Sequence, residues 1–119
     1  NGETRTVLKL PAALAPVKLC VMPLVKKDGL PEKAREIIND LKFHFNCHYD
    51  EKDTIGTRYR RQDAVGTPYC VTVDYDSLKD NTVTIRFRDT MEQERVNISE
   101  LNDIIADKVS IASLLKKIQ

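Results

Sequence analysis

Two short runs of the sequence combine side chains that can recognise a nucleic acid. The first run, residues 57–63, holds three arginines, a tyrosine and a glutamine. Arginine offers a planar fork of donors to phosphates or base edges, tyrosine offers a stacking face, and glutamine both donates and accepts. The candidate recognition residues here are Arg58, Arg60, Arg61, Gln62 and Asp63. A solvated helix face, whose arginines pair with nearby acids, is the alternative for this run.

The second run, residues 86–93, mixes cations and carboxylates at the end of an alternating segment. Its candidate recognition residues are Arg86, Arg88, Asp89 and Glu92. Mixed donors and acceptors suit the reading of unpaired bases better than the binding of a phosphate backbone, which needs only positive charge. A β-turn with local salt bridges is the alternative interpretation, because neighbouring opposite charges also form such turns.

Catalytic and metal-binding patterns are not indicated elsewhere in the sequence. The four glycines are scattered and form no phosphate-binding loop, and no serine nucleophile elbow occurs. Asp74 and Asp76 could act as acid–base groups, but their position at a strand end predicts a turn. His44, Cys47 and His48 are close together, yet nothing nearby completes a set of metal ligands. We therefore predict no catalytic residue and no metal ligand in this chain.

The composition indicates one globular domain that is large enough to bury a core. Of 119 residues, 41% are hydrophobic and 31% are charged. The net charge of +1 argues against binding nucleic acid through bulk charge but allows a local basic patch. Three cysteines cannot all pair, and no apolar run approaches the roughly 20 residues that cross a bilayer. We expect reduced, buried thiols, a cytoplasmic location, no signal peptide and no contact with a membrane.

Strands are predicted wherever apolar residues alternate or cluster in short runs. The predicted strands cover residues 17–24, 47–51, 69–75, 82–88 and 94–98. In the fourth strand Val83 and Phe87 share one face, whereas Arg86 and Arg88 share the other. Because Asp80 and Asn81 favour turns, they are predicted to join the third and fourth strands.

Three helices are predicted between and after these strands. They cover residues 31–45, residues 55–65, and a final segment that is capped by Ser99 and continues to residue 118. Pro31 favours the first turn of a helix, where its missing N–H costs nothing. Prolines at positions 11 and 16 discourage a long helix near the N-terminus, so residues 1–16 are predicted to be a linker leading into a domain of residues 17–119.

The predicted order of elements is β-α-β-α-β-β-β-α. Strands that are linked through helices favour parallel pairing, whereas the later short links require an antiparallel strand. We therefore predict an α/β fold of three layers, α/β/α, with a mixed five-stranded sheet that contains one antiparallel strand. Open sheets of this kind bind ligands at the carboxyl ends of their strands.

Several runs resemble the anticodon-binding domain of glycyl-tRNA synthetases. The runs are IGTRYRRQD (55–63), GTPYCVTVD (66–74) and RDTMEQ (88–93), with shorter agreements at LAP (14–16), VMPL (21–24) and DLKFHF (40–45). The similarity covers about residues 10–101. Sister domains of threonyl-, prolyl- and histidyl-tRNA synthetases share the fold but are less similar in these runs. The resemblance implies the C-terminal domain of a class II synthetase, usually a homodimer, whose catalytic domain comes first.

The resemblance also implies a partner, the anticodon loop of glycine tRNA. Its anticodons carry cytosine at the second and third positions, and a cytosine offers an amino donor beside two acceptors. Carboxylates of Asp89 and Glu92 can accept from the amino group, while Arg86 and Arg88 can donate to the acceptors. No cofactor is expected in this chain, whereas ATP and magnesium are expected for the full-length enzyme. The alternative is an interaction module, like the related domain of a mitochondrial DNA polymerase accessory subunit.

The sequence departs from the family pattern at three positions. Phe87 stands where aspartate is usual, Thr57 where arginine is common, and Asn97 where proline is usual. Phe87 shares the apolar face of its strand, so an inward-pointing ring is expected, with the loss of a polar contact. Thr57 weakens the basic patch by one charge.

Overall fold

A computed structural model describes residues 18–109, which form five strands and four α-helices. In chain order these are β1 (Leu19–Pro23), α1 (Leu30–Leu41), β2 (Cys47–Tyr49), α2 (Ile55–Val65), β3 (Tyr69–Val73), α3 (Tyr75–Asp80), β4 (Thr82–Phe87), β5 (Gln93–Asn97) and α4 (Leu101–Val109). A short 3₁₀ turn, Ile98–Glu100, precedes α4. The predicted linker and the predicted end of the last helix lie outside the described residues. No helix within the described range is long and apolar enough to cross a membrane.

The five strands form one mixed sheet in the order β2-β1-β3-β4-β5. β1 pairs in parallel with β2 and with β3, whereas β4 is antiparallel to both β3 and β5. β4 therefore runs against the other four strands, which confirms the predicted mixed sheet. Cα pairing places Cys47, Leu19, Tyr69 and Phe87 in one row, where the parallel strands begin and β4 ends. We call this end of the sheet the amino edge and the opposite end the carboxyl edge.

Helices cover both faces of the sheet, as the three-layer prediction requires. Alternation along β1 directs Leu19 and Val21 to one face, where they pack with α1 and α4 in the main core. The other face carries a smaller cluster in which α2 packs on the sheet. Its members are Cys20, Met22, Cys70, Ile55 and Tyr59. The first core contains most of the buried apolar residues, so α1 and α4 supply the larger share of hydrophobic stabilisation.

The three cysteines are free, and burial controls their protonation. Cys20 and Cys70 are buried on neighbouring strands, as predicted, whereas Cys47 is half-buried. Burial raises the pKa of the Cys70 thiol to about 12 and that of Cys47 to about 11. These thiols therefore stay protonated at neutral pH, and the thiolate form that attacks disulfides or binds metals is scarce.

The connection from β3 to β4 differs from the predicted turn, because it contains the helix α3. The Asp74 carboxylate accepts a hydrogen bond from the Ser77 N–H at 3.2 Å, and the Ser77 hydroxyl oxygen accepts from the Asp74 N–H at 3.0 Å. This reciprocal pair caps the first turn of α3. Asn81 ends the helix with a positive φ of 57°, so the Asp80-Asn81 pair still reverses the chain. Six residues are too few for helical periodicity to show in the sequence.

The cap before α4 also differs from the prediction. The carboxamide oxygen of Asn97 accepts hydrogen bonds from the N–H of Ser99 at 3.0 Å and from its hydroxyl at 2.8 Å. Asn97 therefore caps the 3₁₀ turn that leads into α4, and Ser99 is a donor to that cap. The departure from proline at position 97 thus has a structural role in this chain.

Asp74 gives stability that depends on pH. Its two carboxylate oxygens accept from Arg95 at 2.6 and 2.8 Å, and this hydrogen bonding holds the pKa of Asp74 below its ordinary value. Because the folded-state pKa is lowered, the contribution is present above the unfolded pKa of about 4 and is lost as the pH falls through the lower folded value.

We expect the wild-type chain to lose more stability than Asp74→Asn between about pH 5 and pH 2, the range over which a paired aspartate is protonated. Urea unfolding across this range would measure the difference. Arg95→Met keeps the carboxyl group but removes its partner, so it should lower the acid sensitivity as Asp74→Asn does. Equal pH slopes in the three proteins would contradict this account.

Candidate nucleic-acid interface

α2 carries the first candidate run and divides it between the two edges of the sheet. The helix begins after Thr54, whose hydroxyl oxygen accepts from the Thr57 N–H at 3.3 Å. It ends at Gly66, which adopts a left-handed φ of 84°. An 11-residue helix is about 16 Å long, so side chains of its first and last turns reach different edges. The predicted residues of this run therefore do not form one surface.

Arg58 lies inside the protein at the carboxyl edge. Its side chain is 3% exposed, and its guanidinium donates to the backbone carbonyl oxygens of Pro23, Lys52 and Asp53. These acceptors belong to the end of β1 and to the loop before α2. The guanidinium thus joins that loop to the sheet, because it donates to backbone carbonyls of both.

Arg61 and Gln62 surround a partly buried carboxylate at the same edge. Arg61 forms ion pairs with Asp50 and Asp53, and Gln62 lies 3.5 Å from Asp50 through its amide nitrogen. Burial alone would raise the pKa of Asp50, but hydrogen bonds from a backbone N–H and from Arg61 outweigh it and lower the pKa. Asp50 is therefore ionised at neutral pH. Arg60 differs from these groups, because its side chain is exposed to solvent.

Asp63 and Arg86 connect the two candidate runs on the α2 face of the sheet. Arg86 donates two hydrogen bonds to the Asp63 carboxylate, at 2.9 and 3.1 Å, and both residues are buried. The guanidinium carbon of Arg86 also lies 4.8 Å from the centre of the Tyr59 ring. This bidentate pair fixes the last turn of α2 on β4, away from the cleft described next.

A cleft of about 610 Å³ opens at the amino edge, between the end of β4 and α4. It brings together three residues of the second candidate run, Arg88, Asp89 and Glu92. Glu94 of β5 and Glu100 before α4 add two more carboxylates to its lining. We call this the amino-edge cleft; it contains four carboxylates and one guanidinium.

Aromatic and apolar side chains line the other walls of the amino-edge cleft. Tyr69 and Phe87 pair across β3 and β4, with ring centres 5.9 Å apart and planes at 89°. This edge-to-face arrangement is favourable for aromatic pairs. Val96 and Ile104 line the cleft as well. Phe87 therefore gives the cleft an aromatic surface.

Arg88 is 2% exposed and fixes the rim of the amino-edge cleft. Its guanidinium donates to the carbonyl oxygen of Gly66 at 2.7 Å and to the Asp89 carboxylate at 2.8 Å. Its backbone N–H donates to the Pro68 carbonyl at 3.0 Å. These bonds hold Asp89 at the rim, where half of its side chain is exposed. Glu92, farther along the same turn, is exposed to solvent.

The cleft lies at the amino edge, whereas the open-sheet rule indicated the carboxyl edge. The sequence predicted Arg88, Asp89 and Glu92 as site residues but not the carboxylates of Glu94 and Glu100. The alternation of β5 could have found Glu94, because it shares a face with the buried Val96. Glu100 carries no comparable signal, since its position depends on how α4 packs on the sheet.

Comparison with known proteins shows the family to which this chain belongs. Residues 18–108 match the family described as the anticodon binding domain. The chain belongs to this family. It is 57% identical over 115 residues to a glycine–tRNA ligase of Rhodopirellula baltica, covering 95% of this chain and 22% of the relative. It is 61% identical over 101 residues to a glycine–tRNA ligase of Treponema denticola, covering 85% of this chain and 22% of the relative.

Solved structures of other synthetases share the fold of this anticodon-binding domain. A prolyl-tRNA synthetase from Cryptosporidium parvum superimposes with a TM-score of 0.77 at 23% identity, over 92% of this chain and 24% of that chain. The RNA binding domain of threonyl-tRNA synthetase from Cryptosporidium parvum gives a TM-score of 0.76 at 24% identity, over 84% and 25%. The predicted fold and the resemblance to glycyl-tRNA synthetases are confirmed, and the chain spans about a quarter of these proteins.

The buried position of Arg58 predicts a large effect on stability. Replacing it with alanine removes the hydrogen bonds to the carbonyls of Pro23, Lys52 and Asp53, so we expect Arg58→Ala to lower the free energy of unfolding by about 2–4 kcal/mol. Arg60→Ala, at an exposed position on the same helix, is the matched control and should change it by less than about 0.5 kcal/mol. Urea unfolding measures both. Similar values for the two variants would show that Arg58 does not stabilise the loop before α2.

Proposed function

We propose that this chain is the part of a glycyl-tRNA synthetase that binds the anticodon loop of glycine tRNA and reads its cytosines. The family and the names of its relatives support this proposal. The observation that carries it is the amino-edge cleft, in which carboxylates and a fixed guanidinium surround an aromatic wall. The interaction-module alternative is not favoured, because these curated relatives are tRNA ligases.

The charges of the amino-edge cleft favour a base over a phosphate. Its four carboxylates outnumber the single guanidinium of Arg88, which already forms an ion pair with Asp89. A phosphate would be repelled there, whereas the amino group of a cytosine can donate to a carboxylate. Asp89 and Glu92 lie at the exposed rim and are our proposed acceptors.

The aromatic wall offers the second element of base recognition. RNA-binding proteins stack unpaired bases on aromatic side chains and read their edges by hydrogen bonds. Phe87 is half-buried and faces the cleft beside Tyr69, so a base that enters can pack against its ring. Burial raises the pKa of Tyr69 to about 12, which keeps its hydroxyl protonated and adds no further negative charge.

The other residues predicted to contact tRNA have different roles in this proposal. Arg88 was predicted to contact a base directly, but it is buried, so its role in this proposal is to orient Asp89. Arg60 is exposed and suits a phosphate contact, whereas Arg58, Gln62 and Asp63 are buried and would act by holding α2. Arg86 and Arg61 bind carboxylates within the protein. We assign the charging of tRNA with glycine to the rest of the synthetase, together with the binding of ATP and magnesium and dimerisation. This chain covers about 22% of its relatives.

Fluorescence anisotropy with two RNA stem-loops at one salt concentration tests base reading. One carries a glycine anticodon, and the other has uridine in place of both cytosines. A good bidentate base contact gives about 1–3 kcal/mol of discrimination, so we expect the wild type to prefer the cytosine loop by about tenfold or more. Glu92→Gln should reduce this preference, because an amide accepts more weakly from the cytosine amino group.

Glu32→Gln is the matched control, since Glu32 is an exposed acid in the first turn of α1 and does not line the amino-edge cleft. It should leave the preference unchanged. If Glu92→Gln weakened binding to both loops equally, Glu92 would position the RNA without reading it. Equal wild-type affinity for the two loops would reject base reading by this chain.

A further inference from the structure

A groove of about 260 Å³ lies at the surface of the main core, between α1 and the start of α4. One wall is a single face of α1 and the turn after it, because positions three and four apart lie together on a helix. This wall carries Ile37, Asp40, Leu41 and His44, and the first turn of α4 contributes Leu101 and Asn102 to the other wall. We call this the α1–α4 groove.

The groove is lined by a residue whose side chain has an unpartnered polar atom. The Oδ1 oxygen of Asn102 is buried and accepts no hydrogen bond from the described residues. A buried acceptor without a donor costs about 1–3 kcal/mol, and such atoms are rare in native proteins. Because Asn102 lines the groove, a donor that enters the groove can reach this side chain and satisfy its oxygen.

The charge and the size of the groove select the kind of donor. Asp40 supplies a carboxylate, and no lysine or arginine is among the described residues that line the groove. A cation is therefore favoured, whereas a phosphate is repelled. The volume lies below the range of about 300–1,000 Å³ that is usual for small-molecule sites, so the groove suits one side chain better than a nucleotide.

A guanidinium group fits these acceptors best. It carries its donors in a planar fork, so it can serve the Asp40 carboxylate and the Asn102 oxygen together. Its plane also stacks on aromatic rings, and the exposed imidazole of His44 borders the groove. The apolar stem of an arginine can contact Ile37 and Leu41, which are buried and line the groove.

The rest of the synthetase is the source of arginine that the chain path favours. This chain covers about 22% of its relatives, so most of such a ligase lies outside it. The polypeptide enters β1 beside the groove, since the Lys18 N–H donates to the Asn46 carbonyl at 2.9 Å and Asn46 follows His44 by two residues. Contacts between domains of one chain are largely polar, and arginine is enriched in protein interfaces.

We propose that the α1–α4 groove binds an arginine side chain from the part of the synthetase outside this chain, and that Asn102 and Asp40 accept its hydrogen bonds. The contact holds the anticodon-binding domain against that part. This inference rests on the proposed function only in that the chain belongs to a longer synthetase. It does not depend on where the RNA binds, because the groove and the amino-edge cleft share none of their described lining residues.

Nα-acetyl-arginine amide is a probe for the groove, and Nα-acetyl-citrulline amide is its neutral isostere. In NMR titrations of this chain, we expect the arginine probe to shift the side-chain amide signals of Asn102 with a dissociation constant of about 1 mM, as suits a ligand of this size. The citrulline probe should bind about tenfold more weakly, because it forms no charge-assisted hydrogen bond. Asp40→Asn should remove this difference. Glu32→Gln, at an exposed acid of α1 outside the groove, should keep it.

Hydrogen exchange in the full-length synthetase tests the source of the arginine. We expect the backbone amides of residues 98–105 to exchange about tenfold more slowly in the full-length enzyme than in this chain, since a docked side chain hinders the local opening of α4. Asp40→Asn and Asn102→Leu should each remove this protection. In this chain alone, Asn102→Leu should not lower the free energy of unfolding, because an apolar group replaces an acceptor that has no partner.

Three results would overturn the inference. If neither probe moves the Asn102 signals and exchange is equally fast in the two proteins, the groove is not a docking site. If the full-length enzyme protects residues 98–105 but Asp40→Asn keeps that protection, the occupant is not a cation. If the arginine probe binds but the full-length enzyme shows no protection, the groove takes a free guanidinium and not a side chain of the synthetase.

RNA binding is a separate readout that distinguishes this inference from the proposed function. Asp40→Asn should discriminate between the cytosine and uridine stem-loops as the wild type does. A wild type that fails to discriminate rejects base reading and leaves the results for the groove as they are.

Discussion

The buried pair of Asp63 and Arg86 is the interaction on which the candidate interface depends. Bringing two charges out of water costs free energy, which is recovered only when geometry and hydrogen bonding are good. Here the guanidinium forms two hydrogen bonds with the carboxylate and stacks on Tyr59. The pair fixes the last turn of α2, and that turn presents the Gly66 carbonyl to Arg88. The rim of the cleft therefore rests on a contact that faces away from it.

Most arginines of the two recognition runs stabilise the protein itself. Arg58 binds backbone carbonyls, Arg61 binds two carboxylates, and Arg88 joins the end of α2 to Asp89. For each run the sequence also allowed the alternative that its arginines pair with acids of the protein itself. That alternative describes most of these guanidiniums. They act on the interface through shape, because they hold the loops and turns that carry the exposed groups. The near-zero net charge agrees with this internal neutralisation.

Local patterns predicted the larger elements well. Alternation in β4 and the amphipathic spacing of α1 correspond to the buried faces that the structure shows. The short helix α3 was missed, because six residues do not complete two turns and its cap at Asp74 also fits a turn. In the sequence Asn97 stands out only as a departure from the family pattern, yet its side chain caps the turn into α4.

The sequence by itself determined the five strands, the helices α1, α2 and α4, the mixed sheet, the family and the inward direction of Phe87. Each follows from local spacing or from similarity along the chain. Only the tertiary structure decided that Arg86 meets Asp63, 23 residues away, and that Arg88 is buried while Asp89 and Glu92 stay exposed at the cleft. An arginine or a carboxylate of these runs can either be buried in a contact within the protein or stay exposed to a ligand. Contacts between residues distant in sequence decide which groups leave water, and therefore which remain available to a ligand.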